Sequence, residues 1–391
     1  MGKKKLLMTA STFPRWEGDT EPRFILDLAK AVNKYYDVTV LAPAAIGAKD
    51  TEVLEGVHVI RYHYLPFRKW ETLCYPGAIV PRIKEKKIRA LEVPFLFLAL
   101  WTTLLRLKSR YDVIHAHWLI PQGIIQGFVG GNYVITSHGT DLTSLNNGLI
   151  KKMKKRCVDR AKAVTVVSER LKQIMMDIYH VPEQKISVLS MGCDTSSFSP
   201  RLRNESFFGD GRKHILFVGR LVEVKGVSYL IDAMKSVDAD LYIVGSGPDK
   251  AKLEEQVHRD ALDDKVHFLG ARTHNQLAEI YASADVCVFP SIKASDGTVE
   301  GFGLVIIEAM ASGVPVVASK SGGIVDIIED GVNGLFAEQK NSADLAEKIN
   351  RILADPELRA GLSHGGLETA RRYSYDVIAR RHADIYDRVI K

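Results

Sequence analysis

The sequence predicts an α/β protein built from two doubly wound parallel-sheet domains facing each other across a cleft. Three observations carry that prediction. Short apolar runs alternate with longer helical patterns, the grammar of strand–helix–strand crossovers. The alternation stops once, in the serine-, glycine- and charge-rich stretch 193–214, and then restarts. The 391 residues also exceed the roughly 100–200 that one compact domain usually holds.

In the first half, KLLMTAS (5–11), DVTVLAP (37–43), VHVIRYHY (57–64), DVIHAH (112–117), YVITSHG (133–139), AVTVVSE (163–169) and ISVLSMG (186–192) read as strands. Residues 21–32 set Phe24, Leu28 and Val32 at helical spacing, and VPFLFLALWTTLLRL (93–107) reads as a helix. In the second half the strands are HILFVGR (214–220), DLYIVGSG (240–247), VHFLG (266–270), DVCVFPS (285–291) and VPVVASK (314–320). Residues 193–214 read as the linker. The predicted domains are 1–195 and 196–374, with a long amphipathic helix over 375–391 returning to the first.

Composition fits a globular protein: 46% hydrophobic and 26% charged, which excludes a disordered or collagen-like chain. Cys74, Cys157, Cys193 and Cys287 are scattered with no CxxC pair, so neither a zinc knuckle nor a redox dithiol is expected, and a reducing compartment suits them. The start, MGKKKLLMTAS, is basic, but its apolar run falls short of the about 7–15 residues of a secretory signal. A net charge of +6 is too mild to argue for nucleic acid, and no such partner is expected.

Parallel sheets bind ligands beyond the carboxyl ends of their strands, so residues directly after strands are weighed first. The segment EGFGLVIIE (300–308) follows the strand ending FPS (289–291). Gly301 and Gly303 let the backbone approach a ligand. A helix starting near Gly303 would aim free N–H groups at an anion. Glu308 then lies about 7–8 Å along that helix, at ~1.5 Å per residue. One acid before the helix start and one within it suit a ligand with hydroxyls at both ends and a phosphate between, as in a nucleotide sugar. The plainer alternative is two acids on an ordinary crossover.

GRLVEVKG (219–226) follows the first strand of the second half. Arg220 at the strand end and Lys225 near the next helix could together neutralise a diphosphate and stabilise it as a leaving group. A solvated basic loop is the alternative. IVGSGP (243–248) puts Gly245 and Gly247 in a tight turn placed to flank a nucleotide, and it fails the dinucleotide fingerprint because Lys250 replaces the third glycine and Pro248 intrudes. Gly322-Gly323 is another small-residue turn. His115 and His117 form H-x-H at a strand end, without an evident third metal ligand; a structural or cleft-lining pair is the better reading. Asp238-Ala-Asp240 precedes a strand, at the wrong edge for a ligand. No metal site is expected.

Taken in order, GRLVEVKG, IVGSGP, FLGAR, EGFGLVIIEAMASGVPVVAS and GGIVDII resemble glycosyltransferase family 4, along nearly the whole chain. The resemblance implies the GT-B fold, two Rossmann-like domains, and retaining transfer of a hexose from a nucleotide sugar, UDP- or GDP-linked first, to a hydroxyl of a glycan or lipid-linked acceptor. It implies no cofactor. It assigns Glu308 to the ribose hydroxyls, Glu300 to the transferred sugar, Arg220 and Lys225 to the diphosphate, the N–H groups of Phe302, Gly303 and Leu304 to the cradle, and Arg272 to the nucleobase side. His138, in SHGTD (137–141), would face the sugar across the cleft; Asp141 is a weaker cleft candidate, with a cap on the next helix as the alternative. Gly18-Asp19 occupies the place of the family's glycine-rich acceptor loop but lacks the usual paired glycines. Two alternatives remain: a nucleotide-sugar 2-epimerase, against which the E-x₇-E spacing argues, and a non-catalytic nucleotide-sugar-binding subunit.

The charge is uneven. Residues 61–110 hold Arg61, Arg68, Lys69, Arg82, Lys84, Lys86, Lys87, Arg89, Arg106, Lys108 and Arg110 against Glu71, Glu85 and Glu92, interleaved with Tyr62, Tyr64, Phe67, Trp70 and Tyr75. Lys151, Lys152, Lys154, Lys155 and Arg156 form a second cluster. Such a surface suits anionic lipid headgroups, so a cytoplasmic protein peripheral to the membrane is expected. The apolar run 93–105 is shorter than the about 20 residues of a span, and a buried crossover helix is expected there.

Overall fold

The computed structural model describes residues 2–19, 21–209 and 211–391; Met1 of the basic start and Asp210 of the serine-rich stretch lie outside them. The chain forms two compact units. The first comprises the residues up to Gly192 together with Tyr375–Lys391, and the second Cys193–Ser374.

The first unit holds β1 (Lys5–Thr9), β2 (Asp37–Pro43), β3 (Thr51–Leu54), β4 (Val57–Tyr62), β5 (Val113–His117), β6 (Tyr133–Ser137), β7 (Ala163–Val166) and β8 (Ile186–Val188). They lie in the order β3-β4-β2-β1-β5-β6-β7-β8, all parallel except β3 against β4. Every residue of β5 and β6 is buried, as strands covered on both faces must be. The helix Tyr375–Ile390 buries Ile378, Ala379, Ile385, Tyr386 and Val389 in this core.

The second unit holds β9 (His214–Val218), β10 (Asp240–Val244), β11 (Val266–Gly270), β12 (Val286–Phe289), β13 (Val316–Ser319) and β14 (Leu335–Ala337). Their order is β11-β10-β9-β12-β13-β14, all parallel. The order therefore reverses between β1 and β5 in one unit and between β9 and β12 in the other. At such a reversal the two flanking loops turn to opposite faces and leave a crevice at the strand ends.

Two edge strands, β3 and β14, escape the sequence reading: four and three residues are too few for a period to show. The stretch 193–204 is not a linker. Cys193 bridges to Ser374 and its N–H donates to Tyr373 O at 2.8 Å, while Phe198 is buried against His274 and Tyr281. A single aromatic gives no periodicity, yet it anchors the segment in the second unit. The division thus falls between Gly192 and Cys193, three residues before the expected one.

The helix Val93–Leu107 departs from expectation too. Short 3₁₀ turns at each end make one helical run, Lys87–Arg110, of 24 residues, long and apolar enough to cross a membrane by length and composition. Only one side, Leu96, Leu100, Leu104 and Leu107, is buried in the unit.

Candidate active site

In the second unit the loops after β9 and β12 flank the strand-order reversal. The Lys225 ammonium donates to Oε2 of Glu300, and both side chains are mostly buried, with 19% and 15% of their surface exposed. Ser291 Oγ lies 3.5 Å from the same oxygen. The backbone beneath is fixed by glycines. Gly226 has φ +63°, and a Cβ there would lie 2.0 Å from Pro290 O. Gly322 has φ +55°, and a Cβ there would lie 1.8 Å from Glu300 O, the carbonyl that accepts from Gly323 N–H at 3.0 Å. Only glycine permits these backbone approaches. Beside them Ser321 Oγ is buried with no hydrogen-bond partner among the described residues.

Gly303, at φ +105°, starts the helix Leu304–Ala311, which has no side-chain cap. Its first N–H groups have no partner inside the helix and carry its positive dipole end. Phe302 is buried, its ring 5.6 Å from that of Tyr373, so its side chain anchors the loop. Glu308 is the fifth residue of the helix and is buried; its Oε2 accepts from the fully buried Tyr281 hydroxyl at 3.0 Å. Burial and the Glu308 carboxylate push the Tyr281 hydroxyl far above its ordinary pKa, so it stays a donor. Tyr281 was not legible in sequence; it sits 27 residues before Glu308 on another helix.

Gly245 and Gly247 pack against the neighbouring loop. A Cβ at either would lie 1.9 Å from Gly219 O or 2.1 Å from Leu221 O. Their immediate work is to let the loop after β10 support the one carrying Arg220. Arg220 and Arg272 are both exposed, Arg272 with one hydrogen bond to Ala271 O at 3.4 Å. Neither is drawn into the Lys225–Glu300 pair.

In the first unit His138 follows β6. Its ring packs among Phe24, Trp118 and His117, at centroid distances of 5.2, 5.0 and 5.4 Å. Desolvation lowers its pKa to about 3, so the imidazole is neutral. Nδ1 of His117 and Nε2 of His138 lie 3.2 Å apart, one donating to the other. His117 is fully buried, so it supports His138 and does not line a cleft. Its neighbour His115 bonds Thr136 Oγ1 at 2.6 Å and the Tyr386 hydroxyl at 2.7 Å.

Asp141 is also buried. Its carboxylate accepts from the N–H groups of His138 and Gly139, each at 3.1 Å, from Ser137 Oγ at 3.0 Å and from Leu119 N–H at 2.7 Å. It ties the β6 loop to the β5 loop, and burial raises its pKa despite those bonds. In the loop after β1, Gly18 takes φ +77° and Asp19 receives the Arg15 guanidinium at 2.7 and 2.8 Å. Among the described residues no three His, Cys, Asp or Glu side chains gather as metal ligands.

Two family models match, Glycosyltransferase Family 4 over residues 22–197 and Glycosyl transferases group 1 over 198–368. An uncharacterized glycosyltransferase of Methanocaldococcus jannaschii is 34% identical over 71% of this chain and 75% of its own. The chain belongs to the family 4 glycosyltransferases. This glycosyltransferase is also 30% identical, over 73% of its chain and 75% of the relative's, to the N,N'-diacetylbacillosaminyl-diphospho-undecaprenol alpha-1,3-N-acetylgalactosaminyltransferase of Campylobacter jejuni. Its fold matches that of HepE from Anabaena in complex with UDP and glucose, at TM-score 0.74 and 20% identity, over 98% of this chain and 100% of the other. The fold is GT-B, two parallel-sheet α/β domains.

Proposed function

We propose that the enzyme moves a hexose, with retention of anomeric configuration, from a UDP- or GDP-linked sugar to a hydroxyl of a glycan or lipid-linked acceptor. The observation that carries this reading is the Lys225–Glu300 pair at the strand-order reversal, beside an uncapped helix start. Lys225 and Arg220 would meet the diphosphate charge, aided by the N–H groups at Gly303 and Leu304. Glu300 would accept sugar hydroxyls, and Glu308, oriented by Tyr281, the ribose hydroxyls. His138 is held neutral and so can give or take a hydrogen bond.

A carboxylate already bonded to an ammonium is a poor covalent nucleophile, which favours a front-face route. The bond from the anomeric carbon to the diphosphate oxygen breaks, the acceptor oxygen bonds to that carbon, and its proton passes to the departing phosphate. Positive side chains then stabilise the leaving group, so transfer should persist in EDTA. The four cysteines are free and buried, which suits the cytoplasm. HepE's UDP and glucose and the Campylobacter relative's diphospho-undecaprenol acceptor are in keeping with this reading. The test is a panel of nucleotide sugars scored for binding and slow donor hydrolysis, with the released sugar's anomer followed by NMR. Preference for one UDP- or GDP-sugar with the α-anomer released from an α-donor is expected. Binding of none, or an inverted product, overturns the proposal.

A further inference from the structure

The exposed side of the helical run Lys87–Arg110 carries a continuous apolar stripe. Ile88, Leu91, Phe95, Leu98, Trp101 and Leu105 recur at intervals of three and four residues and lie opposite the buried Leu96, Leu100, Leu104 and Leu107. Their exposure runs from 72% at Ile88 to 38% at Leu105. Scattered exposed leucines need no explanation, but a stripe of six on one helix face marks an interaction surface.

Its borders identify the partner. Lys84, Lys86 and Lys87 are exposed at one end, and Arg106, Lys108 and Arg110 at the other. The two acids of the stretch are engaged internally, Glu85 with Arg82 and Arg89, and Glu92 with Thr72. Not every cation of the sequence belongs to this rim. Arg61 and Arg89 are buried and bonded, and Lys154 is buried, donating to Asn146 Oδ1 at 2.9 Å with its pKa lowered to about 8 by desolvation. Tyr62, Tyr64 and Tyr75 are buried as well, which leaves Phe67 and Trp70 exposed from that set.

We propose that this face docks on an anionic lipid bilayer, the helix lying in the interfacial plane with its apolar stripe among the acyl chains and its terminal cations on headgroup phosphates. A second copy of the chain fits less well: both ends of the stripe are basic, so either antiparallel or parallel pairing sets cations against cations. Nor does the helix cross the bilayer, because Leu96, Leu100, Leu104 and Leu107 are part of the unit's own packing and leaving would open it. The surface stands apart from the transfer chemistry, which lies on other elements.

The test is co-flotation of the full chain with vesicles of phosphatidylcholine alone or with phosphatidylglycerol, alongside Trp fluorescence. Binding to the anionic vesicles, weakened by high salt, with a blue shift that Trp101→Phe removes, is expected. Leu98→Glu and the triple variant Lys84→Glu/Lys86→Glu/Lys87→Glu should each weaken binding at least about tenfold, with donor hydrolysis and thermal midpoint unchanged. These positions are exposed, so the variants should fold. No flotation of the wild type, binding indifferent to both variants, or a dimer on sedimentation that Leu98→Glu dissolves would overturn the proposal. None of those outcomes touches the donor reading, which hydrolysis reports separately.

Discussion

The Lys225 ammonium donates to Oε2 of Glu300, tying the loop after β9 to the loop after β12. Each charge is met by the other. A bound diphosphate would compete for Lys225. Glu300→Gln keeps the shape but removes that competition. Nucleoside diphosphate should therefore bind several-fold tighter to this variant while turnover falls about 10²-fold or more. Calorimetry and donor hydrolysis on one preparation check both; weaker binding would show that Glu300 does not hold Lys225 back from the phosphates.

On the proposed donor reading, Tyr281 would act through Glu308, whose Oε2 accepts from its hydroxyl. Tyr281→Phe removes one hydrogen bond to a buried carboxylate, at a cost of about 1–3 kcal/mol. The loss should appear as a donor KM raised roughly 5–140-fold, using the rule that 1.4 kcal/mol is tenfold, with kcat nearly unchanged. A fall in kcat with KM intact would remove Tyr281 from the donor side.

Gly322→Ala would place a methyl carbon 1.8 Å from Glu300 O at a φ of +55°. The loop must shift, and Glu300 with it. We expect a stability loss of about 1–3 kcal/mol by urea unfolding and a larger loss of turnover than of stability. Alanine tolerated with full activity would mean that this contact does not set the carboxylate's position.

The first unit should be acid-sensitive. Desolvation lowers His138 and His382 to about 3 and drives His115 and His117 well below the ordinary histidine range. Their folded values lie below the unfolded value of about 6.5. The stability they contribute is thus present above pH ~6.5 and is lost as pH falls toward 3, by up to about 1.4 kcal/mol per pH unit for each histidine. Both ring nitrogens of His382 are buried without a partner among the described residues. His382→Phe should therefore reduce the drop in urea midpoint between pH 7 and pH 5. An undiminished drop would place the sensitivity elsewhere.

Much of this was legible in sequence because parallel strands declare themselves as apolar runs and the site residues follow directly after them. His138 follows β6 directly, while Lys225 and Glu300 lie in the loops that leave β9 and β12, seven and eleven residues past the strand ends. What escaped was of another kind. The Tyr281–Glu308 bond joins two helices, and no local spacing reports it. Phe198 is the one aromatic of 193–204 and gives no period, so in sequence the segment reads as a linker. Gly245 and Gly247 answer to neighbouring carbonyls that only the sheet order brings near. The apolar residues of the helix 93–107 cover two sides, and composition does not say which side is packed. Lys154 reads as surface charge in sequence, yet its ammonium is bonded inside the unit.

The central claim is that Lys225 and Glu300 form the transfer centre, and the most direct measurement is turnover of the preferred nucleotide sugar by Lys225→Ala and Glu300→Ala. Each should lose about 10²–10³-fold or more in kcat. Each should also keep a wild-type far-UV circular dichroism spectrum and a cooperative thermal transition, at a lowered midpoint because each variant leaves the other, mostly buried, charge unpaired. Near-normal turnover in either folded variant would contradict the account.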